Sequence, residues 1–305
     1  MLSHRHVISM QDFSREEIDY VLDLAEGFVE LAKRGGGTQL RDKIVATLFY
    51  EPSTRTRLSF EAAVKRLGGE AMNFGSLDAT SVAKGETLTD TVRIVESYCD
   101  AIVLRHPKEG AARLASEVVS VPVINGGDGA GQHPTQTLQD LFTIRRESRL
   151  GGITVALAGD LRYGRTAHSL AYALALYDVN MVFVSPKTLG MPAHVLRHLE
   201  ERGVRFEERR SLNEIVGDVD VIYMTRIQRE RFPDPREYQQ VAGTYRLDME
   251  ALRQAREGLI VMHPLPRVDE IAAEVDASPH AKYFVQSFYG VPIRMALLCE
   301  LLGGK

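Results

Sequence analysis

Short, β-branched apolar runs alternate with amphipathic stretches along almost the whole chain, and this alternation restricts the possible folds most sharply. The runs 44–49, 101–104 and 121–125 carry few polar positions, so they predict strands buried on both faces. Between them the apolar positions recur at helical spacing, near 54–67, 88–98, 109–115 and 134–146. Strands that alternate with helices in this way belong to a parallel sheet covered by helices. Ahead of this series, Ser14-Arg15-Glu16-Glu17 is a capping box; Ile18, Val21, Leu22, Ala25, Phe28 and Leu31 follow at helical spacing until Gly35-Gly36-Gly37.

Ser148-Arg149-Leu150-Gly151-Gly152 interrupts the rhythm, and a second series then begins. Its strands are expected at 153–158, 181–184, 221–225 and 259–263, and its helices at 166–177, 192–202 and 269–275. At 305 residues the chain suits two domains of roughly 150 residues each. The expected fold is therefore α/β, with domains at 1–150 and 151–305, each a parallel sheet flanked by helices, and with the active site in the cleft between them. A last apolar helix, about 292–302, closes the chain, with the first domain as one place for it to pack.

Lys and Arg number 37 against 41 Asp and Glu, a net charge of −4, which argues against a general nucleic-acid surface. An anionic ligand must then be held by local clusters of cations. Two cysteines, Cys99 and Cys299, make neither a disulfide framework nor a four-ligand zinc site. The N-terminal residues lack the apolar core of a secretory signal, and no apolar run approaches membrane-spanning length. These features point to a cytoplasmic protein with no membrane partner.

Candidate chemistry gathers at the expected strand ends. Ser53-Thr54-Arg55-Thr56-Arg57 follows Pro52 and opens a helix, with Ser53 or Thr54 placed to cap it. Free N–H groups and the positive end of the helix dipole make an anion site there, and hydroxyls and guanidiniums add to it. The competing reading is a capped helix with solvated arginines. Gln132-His133-Pro134-Thr135-Gln136 also leads into a helix, where the imidazole of His133 would stay neutral and donate a hydrogen bond. A lone loop histidine is more often structural, and no second ligand lies at metal spacing.

Gly159-Asp160-Leu161-Arg162-Tyr163-Gly164-Arg165-Thr166 has the spacing of a nucleotide P-loop, but Arg165 stands where the lysine should be. An arginine that grips a carboxylate is the more economical reading. Arg105, Arg165 and Arg226 all fall at expected strand ends, where ligands bind in open α/β sheets. Each alone could be a surface arginine in an ion pair. His263-Pro264-Leu265-Pro266-Arg267 reads as a constrained loop that can hold a cis peptide. Ser81-Val82-Ala83-Lys84-Gly85-Glu86-Thr87 is a polar loop whose lysine is either solvated or able to close on an anion.

Taken together these motifs resemble the aspartate/ornithine carbamoyltransferase family, over essentially the whole chain. Ser-Thr-Arg-Thr-Arg followed by Ser-Phe-Glu, and His-Pro-Thr-Gln, carry the resemblance to the family. Gly-Asp-Leu-Arg-Tyr-Gly-Arg-Thr, Thr-Arg-Ile-Gln and His-Pro-Leu-Pro-Arg are similar to its aspartate-specific members, and a carbamoyltransferase for ornithine or another amino acid is the alternative.

The resemblance implies that Ser53, Thr54, Arg55 and Thr56 hold the phosphate of carbamoyl phosphate. Arg105, His133 and Thr56 would face its carbonyl oxygen, and Gln136 its amino group. Arg165, Arg226 and Gln228 would bind the carboxylates of L-aspartate. Backbone carbonyls of Leu265 and Pro266 would contact the carbamoyl group or the attacking amine. Ser81 and Lys84 would enter the site of a neighbouring subunit, with Lys84 reaching the aspartate, which implies a homotrimer with shared sites. Regulatory chains are possible further partners. Neither a metal nor an organic cofactor is implied.

Overall fold

A computed structural model describes residues 1–3, 5–73, 85–227, 236 and 245–303. Within it the chain divides into two compact units, Met1–Gln139 with Ser287–Lys305, and Asp140–Gln286. The first unit opens with α1 (Arg15–Arg34), whose capping box forms in full: Ser14 Oγ accepts the Glu17 N–H at 3.2 Å, and Glu17 Oε2 accepts the Ser14 N–H at 2.9 Å. Its buried stripe ends on Val29 and Ala32, with the expected Phe28 and Leu31 only half-buried. A regular helix has 3.6 residues per turn, so the buried positions shift by one along a long helix.

β1 (Ile44–Phe49), α2 (Arg55–Arg66), β2 (Glu70–Asn73), α3 (Leu88–Glu96), β3 (Ala101–His106), α4 (Ala111–Val118) and β4 (Val123–Asp128) follow. All the pairings are parallel, in the order β2-β1-β3-β4. Ala46, Leu48, Ile102, Leu104 and Val123 project from one face onto Val92 and Val95 of α3 and Ala112 and Ala115 of α4. Val45 and Val103, on the opposite face, are buried as well. Burial on both faces is why these strands read as unbroken apolar runs.

α5 (Pro134–Glu147) contains the first boundary between the units. The second unit continues with β5 (Ile153–Ala158), α6 (Arg165–Leu174), β6 (Val179–Val184), α7 (Ala193–Glu201), β7 (Phe206–Arg209), β8 (Val221–Met224) and β9 (Ile260–Met262). Its sheet is also parallel, in the order β7-β6-β5-β8-β9. Alternate residues Ala156, Ala158, Val182, Val184, Ile222, Met224 and Val261 form one core face. α8 (Tyr283–Leu302) contains the second boundary.

Four local expectations change. β2 and β7 were not expected, because Glu70–Asn73 and Phe206–Arg209 are edge strands with largely exposed side chains and no apolar run. The stretch 269–275 forms no α-helix; a short 3-10 turn at Ala273–Ala277 stands there instead. α8 starts at Tyr283, not near Pro292, which lies inside the helix. Proline forfeits one N–H there, but burial of Ile293 and the residues Met295, Ala296, Leu297 and Leu298 holds the helix together. No described helix is long and apolar enough to cross a membrane.

Candidate active site

Each sheet has one place where successive crossovers leave in opposite directions: between β1 and β3 in the first unit, and between β5 and β8 in the second. The loops beyond the carboxyl ends of such strands diverge and leave a crevice. In the first unit these loops carry Ser53, Thr54, Arg55 and Thr56 after β1, and Arg105 near the end of β3. In the second they carry the turn before Arg165 after β5, and Arg226 after β8.

In the first unit α2 begins without help from the hydroxyl of its N-cap residue. Thr54 is its N-cap residue but makes no side-chain capping bond, so the expected cap from Thr54 does not form. The first turn carries no acidic residue either. Partial burial of its guanidinium lowers the pKa of Arg55. Arg57 leans along the helix instead, with Nε 3.6 Å from Glu61.

Thr56, buried in the first turn, meets His133, which is buried just ahead of α5; Thr56 Oγ1 lies 3.4 Å from His133 Nε2. Gln136 is buried in the first turn of α5, and its N–H donates to the His133 carbonyl at 3.0 Å. Arg105 is held at two points: one terminal nitrogen lies 2.7 Å from Glu51 Oε1, and the other donates to the Gly126 carbonyl at 3.1 Å. Parallel pairing of Phe49 with Arg105 brings these two strand ends together.

Asn125 and Asp128 set the loop that leads to His133. The Gly127 N–H donates to Asn125 Oδ1 at 2.8 Å, Asn125 Nδ2 to Asp128 Oδ1 at 3.0 Å, and the Gln132 N–H to Asp128 Oδ1 at 2.9 Å. Gly129 is needed here: its φ is +49°, and a side chain would press on the Pro107 carbonyl at 2.8 Å.

The turn 159–164 of the second unit is closed by its own acidic residue. Asp160 is fully buried, and its Oδ1 accepts the Tyr163 N–H at 2.9 Å. A P-loop would offer such N–H groups to phosphate, so a carboxylate seated on one works against the nucleotide reading. Gly159, at φ +110°, lies so close to the Thr225 carbonyl that a Cβ would overlap it. Thr225 Oγ1 donates to the Ala158 carbonyl at 2.9 Å and ties the ends of β5 and β8 together. Arg165 is the first residue of α6, and Arg226 follows Thr225; both are half-buried. Beyond β9 the Leu265–Pro266 bond is cis, as the spacing of prolines had suggested, and Leu265 has φ +49°. Ser81, Lys84 and Gln228 lie outside the described residues. No group of three or more His, Cys, Asp or Glu among the described residues could hold a metal ion.

Two family profiles match almost end to end. One, "Aspartate/ornithine carbamoyltransferase, carbamoyl-P binding domain", covers residues 5–146; the other, "Aspartate/ornithine carbamoyltransferase, Asp/Orn binding domain", covers 151–301. The chain belongs to the aspartate/ornithine carbamoyltransferase family. It is 61% identical over 301 residues to an aspartate carbamoyltransferase catalytic subunit of Methanocella arvoryzae, covering 98% of this chain and 97% of that one. Among solved structures it resembles the catalytic subunit of M. jannaschii aspartate transcarbamoylase, with 55% identity, a TM-score of 0.91 and 98% of each chain covered. It also resembles aspartate transcarbamoylase from Trypanosoma cruzi in complex with carbamoyl phosphate and aspartate: 42% identity, TM-score 0.92, covering 96% of this chain and 95% of that one.

Several supporting contacts of this carbamoyltransferase fold had no signal in the sequence. Glu51 lies two positions before the Ser-Thr-Arg-Thr-Arg motif, but its partner Arg105 is remote in sequence. Asn125 and Asp128 lie in the glycine-rich stretch 125–131 ahead of His133, where the sequence alone gives them no role. His263 and Glu270 form a buried contact of 2.6 Å, which only the folded loop brings about.

Proposed function

We propose that the chain is an aspartate carbamoyltransferase catalytic chain, which transfers the carbamoyl group of carbamoyl phosphate to the amine of L-aspartate. The products are N-carbamoyl-L-aspartate and phosphate, and the reaction serves pyrimidine biosynthesis in the cytoplasm. The observation that carries this reading is full-length similarity, at 55–61% identity, to aspartate-specific proteins. The second-half motifs His-Pro-Leu-Pro-Arg and Thr-Arg-Ile-Gln support it over ornithine.

In this reading Ser53, Thr54, Arg55 and Thr56 receive the phosphate at the uncapped start of α2. Arg105, His133 and Thr56 donate to the carbamoyl oxygen, where negative charge builds as the amine attacks, and Gln136 meets the carbamoyl amino group. Arg165, Arg226, Gln228 and Lys84 receive the carboxylates of aspartate, and the carbonyls of Leu265 and Pro266 contact the carbamoyl group or the amine. Phosphate and two carboxylates bring roughly four negative charges together, at about 4 kcal/mol for each close like-charge contact at an effective dielectric near 20. The arginines and Lys84 answer that repulsion. The leaving phosphate can accept the amine proton, so catalysis rests on positioning and electrostatics. Ser81 and Lys84 come from a neighbouring subunit of a homotrimer, to which regulatory chains can be added.

A steady-state assay that offers aspartate and ornithine separately tests the reading. Turnover with aspartate is expected; turnover with ornithine and none with aspartate rejects it.

A further inference from the structure

The loop after β9 is braced by a side chain to which the reading above gives no role. His263 and Glu270 are both buried. The Leu265 N–H donates to His263 Nδ1 at 2.7 Å, while His263 Nε2 lies 2.6 Å from Glu270 Oε1. An N–H can only donate, so Nδ1 must present a lone pair; a ring nitrogen so close to a carboxylate must carry the proton. The two contacts together select the neutral Nε2–H tautomer. Glu270 Oε2 accepts the Val268 and Asp269 N–H groups at 3.0 and 3.1 Å. One buried pair therefore cinches the loop at both ends.

Leu265 needs this brace. At φ +49° it holds a conformation that bulky residues rarely adopt, and its N–H lies outside any strand or helix. The brace is itself anchored within the second unit. The His263 N–H donates to Gln286 Oε1 at 2.9 Å, Gln286 Nε2 to Asp140 Oδ1 at 2.7 Å, and the Tyr223 hydroxyl to Asp140 Oδ2 at 2.8 Å. Gln286, Asp140 and Tyr223 are fully buried, and a connected buried network of this kind has little freedom to reorient.

We propose that His263 is a positioning residue for the transfer reaction. Its Nδ1 lone pair fixes the peptide at Leu265 and thereby aims the Leu265 and Pro266 carbonyls. The inference rests on the role of those carbonyls in the proposed function; His263 itself touches no substrate.

Two substitutions separate the ring's two contacts. His263→Asn places an oxygen near the position of Nδ1, where it can still accept from Leu265, but it does not reach Glu270. His263→Gln reaches Glu270 and leaves the Leu265 N–H without its acceptor. Both remove the same buried ring, so a merely structural histidine would make activity follow the melting temperature in both. The expected result is a fall of about 10–100-fold in kcat/KM for aspartate in H263Q, against a fall of no more than about fivefold in H263N. Inorganic phosphate should bind both variants within about twofold of the wild type, since none of the residues assigned to the phosphate is changed. Losses that are equal in the two variants and follow melting temperature overturn the proposal, as do wild-type kinetics in H263Q. If the unmodified enzyme carbamoylates neither aspartate nor ornithine, the functional reading fails instead. Two-bond proton–nitrogen correlation spectra of histidine-labelled full-length protein decide the tautomer independently of activity: the Nε2–H form is expected, and the Nδ1–H form overturns the brace.

Discussion

The crevice of the first unit is lined by helix starts, and that of the second by loops pinned from behind. In the first, Thr56 and His133 stand at the openings of α2 and α5, and Arg105 reaches in from a strand end. In the second, the backbone is held by buried polar side chains: Asp160 on the Tyr163 N–H, Thr225 on the Ala158 carbonyl, and His263 on the Leu265 N–H. The difference matches the ligand proposed for each. A phosphate dianion is compact and highly charged, so donors at a helix start suffice to hold it. Aspartate must present one amine to one carbon, and that calls for loops of fixed shape.

Substitutions on the two sides should break this comparison in different ways. The largest effect is expected for Arg55→Ala, which removes charge from the uncapped start of α2. Turnover should fall by about 10²–10³, the usual scale for a lost transition-state donor. Steady-state rates at saturating substrates check this, and a near-normal rate would remove the phosphate role from Arg55. Arg226→Ala should act on the acceptor side, lowering kcat/KM for aspartate by roughly 10–100-fold through a lost charge-assisted hydrogen bond.

Gly159→Ala tests the pinned loops through stability. The new Cβ overlaps the Thr225 carbonyl at a φ of +110°, so unfolding by urea should show a loss of about 1–3 kcal/mol. A smaller effect belongs to Asp100, which precedes β3 at the opposite end of the sheet from the first unit's crevice. Burial works to raise its pKa, but the Ile44 N–H and the Lys43 ammonium, each 2.9 Å away, outweigh burial and lower it. Its contribution to stability is present above the ordinary carboxylate range near ~4 and is lost as pH falls through the lowered value. Asp100→Asn should therefore flatten the acid limb of melting temperature against pH, with a stability cost within about 1 kcal/mol for this partly exposed pair.

How much could be read from the sequence differs between the two crevices for the same physical reason. Ser53-Thr54-Arg55-Thr56-Arg57 is local, and helix-start physics alone marks it as an anion site. The strands Ile44–Phe49 and Ile153–Ala158 were equally plain, because burial on both faces leaves continuous apolar runs. The capping hydroxyl at Thr54 was misleading, since its side chain makes no capping bond. Glu270 was read as part of a helix and instead turns back to His263, a contact that no propensity contains. Pro292 looked like a helix start; the tertiary packing of α8 overrides that local preference.

The division of labour between the two units is tested most directly by titrating carbamoyl phosphate, without acceptor, into wild type, Arg55→Ala and Arg226→Ala, and following the heat of binding. On this division of labour Arg55→Ala should weaken binding by at least about tenfold, while Arg226→Ala should bind like the wild type. Weakened binding in Arg226→Ala alongside normal binding in Arg55→Ala would contradict it.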